Sequence, residues 1–241
     1  MRILAFDTCT VTASVAVVSG SETLAEISAG VEARHGESLL PRIGSALERA
    51  RLTFAAIDLV AVGIGPGSFA GVRVGLATAK GLALAGGKPL RGVVTLRTLA
   101  RGAPGSHELV APVLDAYKGE VYAALYAREN PSGELRELLA PLHATPEAAA
   151  ARLLSAVGQA PLLLCGDGAR KYFSLLSSGL GERAQLADRL FDLPRASHLA
   201  QEARLAFVSK GADDLASLEP LYLRPGDATL PARPLRLEHI S

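Results

Sequence analysis

The sequence predicts an α/β protein built as two similar lobes, and three observations carry that reading. Apolar runs of strand length alternate with helical patterns, which points to layered sheets and helices. The order strand, strand, strand, helix, strand, helix occurs twice, the mark of a duplication. The punctuation recurs as well. Asp7 and Asp115 each close a first strand, and Gly65-Pro66-Gly67 and Gly166-Asp167-Gly168 each separate a fourth strand from the next helix.

Strands are expected at residues 2–6, 13–18 and 23–29, short apolar runs bounded by turn residues. A helix is expected at 36–51, where Leu39, Leu40, Ile43, Leu47 and Ala50 fall at helical spacing and Glu37, Arg42, Glu48 and Arg49 take other positions. Pro41 is tolerable there because it lies in or near the first turn. A strand at 59–64 precedes a helix at 69–85, which Gly86-Gly87 stops with Pro89 beyond. A strand at 90–95 closes the half. In the second half the strands are expected at 109–114, 120–127, 134–140 and 162–165, and the helices at 146–157, 169–177 and 196–210. Residues 101–107, rich in Gly, Pro and Ser, read as the hinge, giving lobes 1–102 and 103–241. Helix 196–210 is a candidate to pack back on the first lobe, and a flexible tail is expected from about 225.

With 241 residues, 49% of them hydrophobic, the chain can bury a large core, which excludes disorder as its main state. The 25 basic and 24 acidic side chains leave a net charge of +1. Autonomous tight binding to nucleic acid through phosphate neutralisation is therefore not expected, and any nucleic acid would be held by a partner. Asp7 interrupts the first apolar stretch too early for an export signal, and the uncharged run at 59–72 is too short for a bilayer. A cytoplasmic protein without membrane contact is expected. Cys9 and Cys165 stand far apart and read as small buried hydrophobes.

Asp7-Thr8-Cys9-Thr10 lies at the turn between the first two strands, which would place its carboxylate and hydroxyls toward the cleft between lobes. In duplicated folds of this kind such a turn contacts nucleotide phosphates or their metal. The alternative is a turn aspartate bonding its own backbone amides. Asp115 takes the matching place, with Lys118 close enough in sequence to neutralise it. The densest signal is the stretch from Gly65 to Gly75, Gly-Pro-Gly-Ser-Phe-Ala-Gly-Val-Arg-Val-Gly. Glycines after a strand let amides point outward, Ser68 can cap the helix, and the positive helix end favours an anion. The stretch lacks the Gly-Lys-Ser/Thr ending of a P-loop, the dinucleotide spacing and the pattern of a nucleophile elbow, so Ser68 reads as a cap. Gly71, Gly75 and Ala79 recur every four residues, a small-residue stripe along which another helix can approach, with Val72 and Leu76 beside it. A helix apolar nearly all round is either deeply buried or part of an interface. Arg73 reads as a ligand for an anion or partner carboxylate, or as a solvated charge. The histidines at 35, 107, 143, 198 and 239 show no i, i+3 or i+4 pairing, so no metal site is expected.

Several blocks together resemble the TsaB family, formerly called YeaZ, over nearly the whole chain. They are residues 2–8 with Ser14-Val15-Ala16-Val17, Arg34-His35 ahead of Leu39-Leu40-Pro41, the Gly65 to Gly75 block, Lys80-Gly81-Leu82-Ala83, Asp115-Ala116-Tyr117-Lys118-Gly119-Glu120-Val121-Tyr122, and Pro220-Leu221-Tyr222-Leu223-Arg224. The resemblance implies the actin, sugar kinase and Hsp70-like (ASKHA, ribonuclease H-like) fold, in agreement with the duplication. It implies a role in making threonylcarbamoyladenosine on the tRNA adenosine next to the anticodon. There the related TsaD performs the transfer, and TsaB is its non-catalytic partner together with the ATPase TsaE.

The resemblance also implies a helical docking surface for TsaD that serves a homodimer in the partner's absence. The residues expected on it are Leu39, Leu40, Ile43, Leu47, Gly71, Val72, Arg73, Gly75, Leu76 and Ala79. A bulky residue at Gly75 is then expected to abolish both assemblies and leave the fold intact. No cofactor is expected beyond a nucleotide that the complex interface could hold, and tRNA is met only indirectly. TsaD-like proteins carry a metal-binding His-x-x-x-His where this chain has Thr95 and Leu99, which favours a non-enzymatic role over an older peptidase description of the family. The rival reading is a stand-alone ASKHA-type nucleotide-dependent phosphotransferase. There Asp7 would hold metal and phosphate and Asp115 would act as base; independently of that reading, Asp7, Thr8, Gly65, Gly67, Ser68 and Asp115 are the candidate ligand-facing residues.

Overall fold

The computed structural model describes residues 1–30, 35–105, 107–129 and 134–224, and of residues 35–38 the backbone alone. Arg34 and the expected tail from about 225 lie outside the described residues. In chain order the strands are β1 (Arg2–Asp7), β2 (Thr12–Ser19), β3 (Glu22–Gly30), β4 (Leu59–Gly63), β5 (Leu90–Val93), β6 (Leu109–Asp115), β7 (Val121–Arg128), β8 (Leu135–Ala144), β9 (Leu162–Cys165) and β10 (Ala184–Leu186). The helices are α1 (His35–Arg49), α2 (Phe69–Gly86), α3 (Thr95–Gly102), α4 (Pro146–Val157), α5 (Asp167–Lys171), α6 (Phe173–Leu180) and α7 (Ala196–Lys210).

Both halves have one topology. The first sheet runs β3-β2-β1-β4-β5 and the second β8-β7-β6-β9-β10. In each, the first three strands are antiparallel, the fourth joins the first in parallel and the fifth joins the fourth in parallel. The central strands β1, β4, β6, β7 and β9 read as apolar runs because both faces of each sheet are covered there, whereas the edge strands β3 and β8 are only partly buried. Leu4, Phe6, Val60 and Val62 pack on α1 and α2, while the alternate residues Ile3, Ala5, Leu59 and Ala61 pack on α7. In the second lobe Val110, Leu114 and Tyr126 meet α3, and Ala111, Val113 and Leu125 meet α4 and α6.

Helix α7, from the second half of the sequence, therefore covers the first sheet, and α3, from the first half, covers the second. Leu96, Leu99 and Ala100 of α3 are buried in the second core. This corrects the expected boundary after residue 102, since the chain crosses between lobes ahead of Thr95. The apolar, β-branched run Val93-Val94-Thr95 reads as more strand, whereas the structure starts α3 at Thr95 with Val94 at the N-cap offering no side-chain bond. The single helix expected at 169–177 is two, meeting at Tyr172, and β10 is an added strand of 3 residues. Pro41 lies inside α1, in its second turn, rather than in the first.

Candidate functional site

The turn after β1 is closed over by the start of α2. Asp7 is fully buried; its Oδ1 accepts the Cys9 amide at 2.8 Å and its Oδ2 the Thr95 hydroxyl at 2.9 Å. Burial pushes the Asp7 carboxyl above the ordinary 3.8, and those two hydrogen bonds pull it part of the way back. The Thr8 hydroxyl donates to the Gly71 carbonyl at 2.7 Å, and the Ser68 amide donates to the Cys9 carbonyl at 2.7 Å. Burial first, and then the nearby Asp7 charge, push the Cys9 thiol well above 9.0, so it is inert as a nucleophile.

Glycine makes this closure possible. A Cβ at Gly63 would strike the Asp7 carboxylate, at Gly67 the Cys9 carbonyl, at Gly71 the Thr8 carbonyl and at Gly75 the Thr8 hydroxyl. The glycines thus serve close backbone packing rather than an outward cradle of amides. Ser68 caps α2, its Oγ accepting the Gly71 amide at 3.2 Å. Gly65, at φ +97°, passes beneath the C-terminal segment; the Leu221 amide donates to the Ile64 carbonyl at 2.8 Å, and the Leu221 carbonyl lies 3.1 Å from where a Gly65 Cβ would stand. The expectation that Asp7 and Thr8 face an open cleft is therefore corrected, because both are consumed by contacts within the chain.

The second lobe repeats the device. Gly166 and Gly168 pack against the Val113 carbonyl and the Leu114–Asp115 backbone. Asp115 pairs with Lys171 at 2.7 Å and accepts the Tyr117 amide at 3.1 Å and the Tyr172 hydroxyl at 3.2 Å. A cation that neutralises it comes from α5, outside its own turn. The bond to Asp115 in turn pushes the Lys171 ammonium upward. Asp167 accepts the amides of Asp115 at 3.1 Å and Gly168 at 2.7 Å, and burial still raises its carboxyl. Among the described residues no group of three or more His, Cys, Asp or Glu is placed to hold a metal ion.

The expected docking residues divide by burial. Leu39, Ile43, Val72, Leu76 and Ala79 belong to the first core, and Gly71 and Gly75 lie buried against Thr8. This corrects the expectation for those seven, since side chains used inside the fold cannot also meet a partner. A bulky residue at Gly75 would act on Thr8 and the fold itself. Leu47 is half-buried, while Leu40, 56% exposed, and Arg73 stand outside. The free side of α2 is a different one, formed by Ala70, Arg73, Ala77, Gly81 and Leu84, and α1 exposes Leu40, Gly44 and Glu48. Spacing missed it because α2 is apolar nearly all round, so periodicity does not say which stripe faces out.

The family model for TsaD, tRNA N6-adenosine threonylcarbamoyltransferase, matches residues 24–224. A crystal structure from Pseudomonas aeruginosa, of a protein described by its similarity to the peptidase YeaZ, is 30% identical with a TM-score of 0.80, covering 92% of this chain and 99% of that one. The chain belongs to the TsaB (YeaZ) family. Among TsaB proteins, the tRNA threonylcarbamoyladenosine biosynthesis protein of Bacillus subtilis is 29% identical over 228 residues, 95% of this chain and 96% of its own length. That of Escherichia coli is 40% identical over 133 residues, 54% of this chain and 57% of its own length. The ROK hexokinase of Thermus thermophilus, at 14% identity and a TM-score of 0.52, shares the fold alone, which is the ASKHA-type architecture. No helix among the described residues is long and apolar enough to cross a membrane.

One cluster on this TsaB-family chain joins two α2 residues to a third that no local spacing connects to them. The Arg73 guanidinium lies 3.7 Å from the ring centroid of Phe69, and its Nε donates to the Tyr222 hydroxyl at 2.8 Å. The Phe69 and Tyr222 rings stack with centroids 5.1 Å apart. Arg73 and Tyr222 are 149 residues apart, beyond the reach of local spacing.

Proposed function

We propose that this chain is a non-catalytic subunit in threonylcarbamoyladenosine biosynthesis, docking on TsaD through the exposed sides of α1 and α2. The observation that carries the reading is the state of Asp7: the carboxylate that a kinase-type cleft would turn toward metal and phosphate is fully buried and bonded to Cys9 and Thr95. The family's name supplies the pathway, and the weakly charged outer face of α2 supplies a surface suited to another helix. Docking would favour the productive conformation of TsaD, to the extent that this chain binds that conformation more tightly than others. TsaE would be the ATPase of the same assembly, tRNA would be held by the partner, and a second copy of this chain would compete for the same face. The setting would be cytoplasmic. The phosphotransferase alternative requires Asp7 to be open to ligand, and its burial counts against it.

The test is modification of unmodified tRNA by TsaD, TsaE and threonylcarbamoyl-adenylate synthase with threonine, bicarbonate and ATP, with and without this chain. Product is expected only in its presence. Equal product in its absence would overturn the reading.

A further inference from the structure

We propose that Arg73, fixed by Phe69 and Tyr222, is the charge-recognising anchor of the docking face and pairs with a carboxylate on a helix of the partner; the proposal rests on the docking reading above. A surface arginine normally samples many rotamers, and that freedom is lost on binding. Here it is already restricted. The guanidinium lies over the Phe69 ring at 3.7 Å and within 5.8 Å of the Tyr222 ring centroid, and its Nε is held by the Tyr222 hydroxyl. Among the described residues, Nη1 and Nη2 take no hydrogen bond. A planar pair of donors left open on a fixed group matches the two oxygens of a carboxylate.

The surroundings select the class of partner. Arg73, Ala77, Gly81 and Leu84 follow one another at helical spacing along the exposed side of α2, and Leu84 is 76% exposed. A Cβ added at Gly81 would meet nothing within 4 Å, so a second helix can approach there closely. A nucleic-acid backbone would call for several cations in a row, whereas the described part of α2 carries only Arg73 and the half-buried Lys80. Arg73 precedes Gly81 by eight residues, or about 12 Å of helix, so the partner's carboxylate should lie about two turns from the point of closest approach. Tyr222 then acts as a positioning residue, which couples the segment around it to docking.

The experiment is calorimetric titration of the full chain with TsaD from the same organism at low and at moderate salt, using wild type, Arg73→Gln, Arg73→Lys, Tyr222→Phe and Gly81→Arg. Expected are a loss of about 10- to 100-fold in affinity and a flattened salt dependence for Arg73→Gln. Tyr222→Phe should weaken binding less and keep the salt dependence, and Arg73→Lys should restore the salt dependence without full affinity. Thermal midpoints should stay unchanged, since all three residues of the cluster are exposed. Wild-type affinity for Arg73→Gln at both salts, with binding lost in Gly81→Arg, overturns the anchor and leaves the docking reading standing. A weakened Arg73→Gln that keeps the wild-type salt dependence also overturns it, because the contact would then be packing. Wild type failing to bind TsaD removes the docking reading and the anchor with it.

Discussion

Glu26 on β3 caps the first turn of α7: its Oε1 accepts the amide and the hydroxyl of Ser197, both at 3.0 Å, from 171 residues away. The Ser14 hydroxyl accepts the neighbouring Ala196 amide at 2.9 Å. Arg195, which stands at the N-cap, makes no side-chain cap bond and instead reaches the other Glu26 oxygen at 2.6 Å. A helix from the end of the described chain thus takes its cap from the first sheet, because two of its orphan amides point at that sheet's edge. Glu26→Ala is expected to lower stability by about 1–2 kcal/mol in urea unfolding, and Glu26→Gln by less. An unchanged midpoint for Glu26→Ala would show that water replaces the cap without loss.

One buried acid ties the two lobes together at their seam. Glu202 of α7 is 2% exposed and bonds both Arg97 and Arg101 of α3. Removing the carboxylate leaves two guanidinium groups at a largely buried seam without their counter-charge, so Glu202→Ala should destabilise by about 3–5 kcal/mol. Glu202→Gln keeps the acceptor and should fall in between. Because α3 belongs to the second core and α7 to the first, faster amide exchange is expected in both helices together. A loss confined to one lobe would argue that the lobes are coupled elsewhere.

Two glycines of α2 should respond in opposite directions. A Cβ at Gly71 strikes a backbone carbonyl, that of Thr8, which cannot swing away. Gly71→Ala should therefore destabilise by about 1–3 kcal/mol through overpacking. Gly81 faces open space, so Gly81→Ala should stabilise by about 0.5–1 kcal/mol through helix propensity alone. Matched thermal and urea melts of the two variants check both signs, and equal destabilisation would mean that Gly81 is packed in solution.

The same pair shows what the sequence could convey. Both sheets were legible because their central strands are covered on two sides, so residues such as Ile3 to Phe6 form an apolar run whichever way they point. The duplication was legible because Asp7 and Asp115, and the two glycine turns, occupy matching places. The stripe of Gly71, Gly75 and Ala79 was legible as a surface of close approach but not as to its partner. That partner is the Thr8 turn, 63 residues away along the chain from Gly71. Helix α3 was lost for a local reason: its start at Thr95 continues a β-branched run and carries no side-chain cap. The Arg73–Tyr222 contact had no local signal at all.

Asp7 and His198 should shape the pH dependence of stability in opposite senses. Burial raises the Asp7 carboxyl above 3.8, so above that pH the folded protein retains a proton that the unfolded chain has released. Stability must then fall as pH rises from 3.8 through the folded value, and the deficit persists beyond it. Burial lowers His198 below 6.5, so the unfolded chain binds the extra proton there, and stability must rise with pH up to 6.5. Asp7→Asn removes the first effect and leaves the second. Its amide group can still accept from Cys9 and can donate to the Thr95 oxygen, so the turn has no reason to open. Urea midpoints measured from pH 4 to 8 should therefore lose the decline above 3.8 in Asp7→Asn while the rise toward 6.5 remains. An unchanged profile would mean that water reaches the carboxylate. The same variant bears on function, since a carboxylate that only closes a turn is not needed for chemistry. Asp7→Asn should support TsaD-dependent tRNA modification at the wild-type rate. A loss of about a hundredfold in a folded, TsaD-binding variant, the scale of removing a group that acts in the transition state, would return Asp7 to the chemistry and reinstate the phosphotransferase alternative.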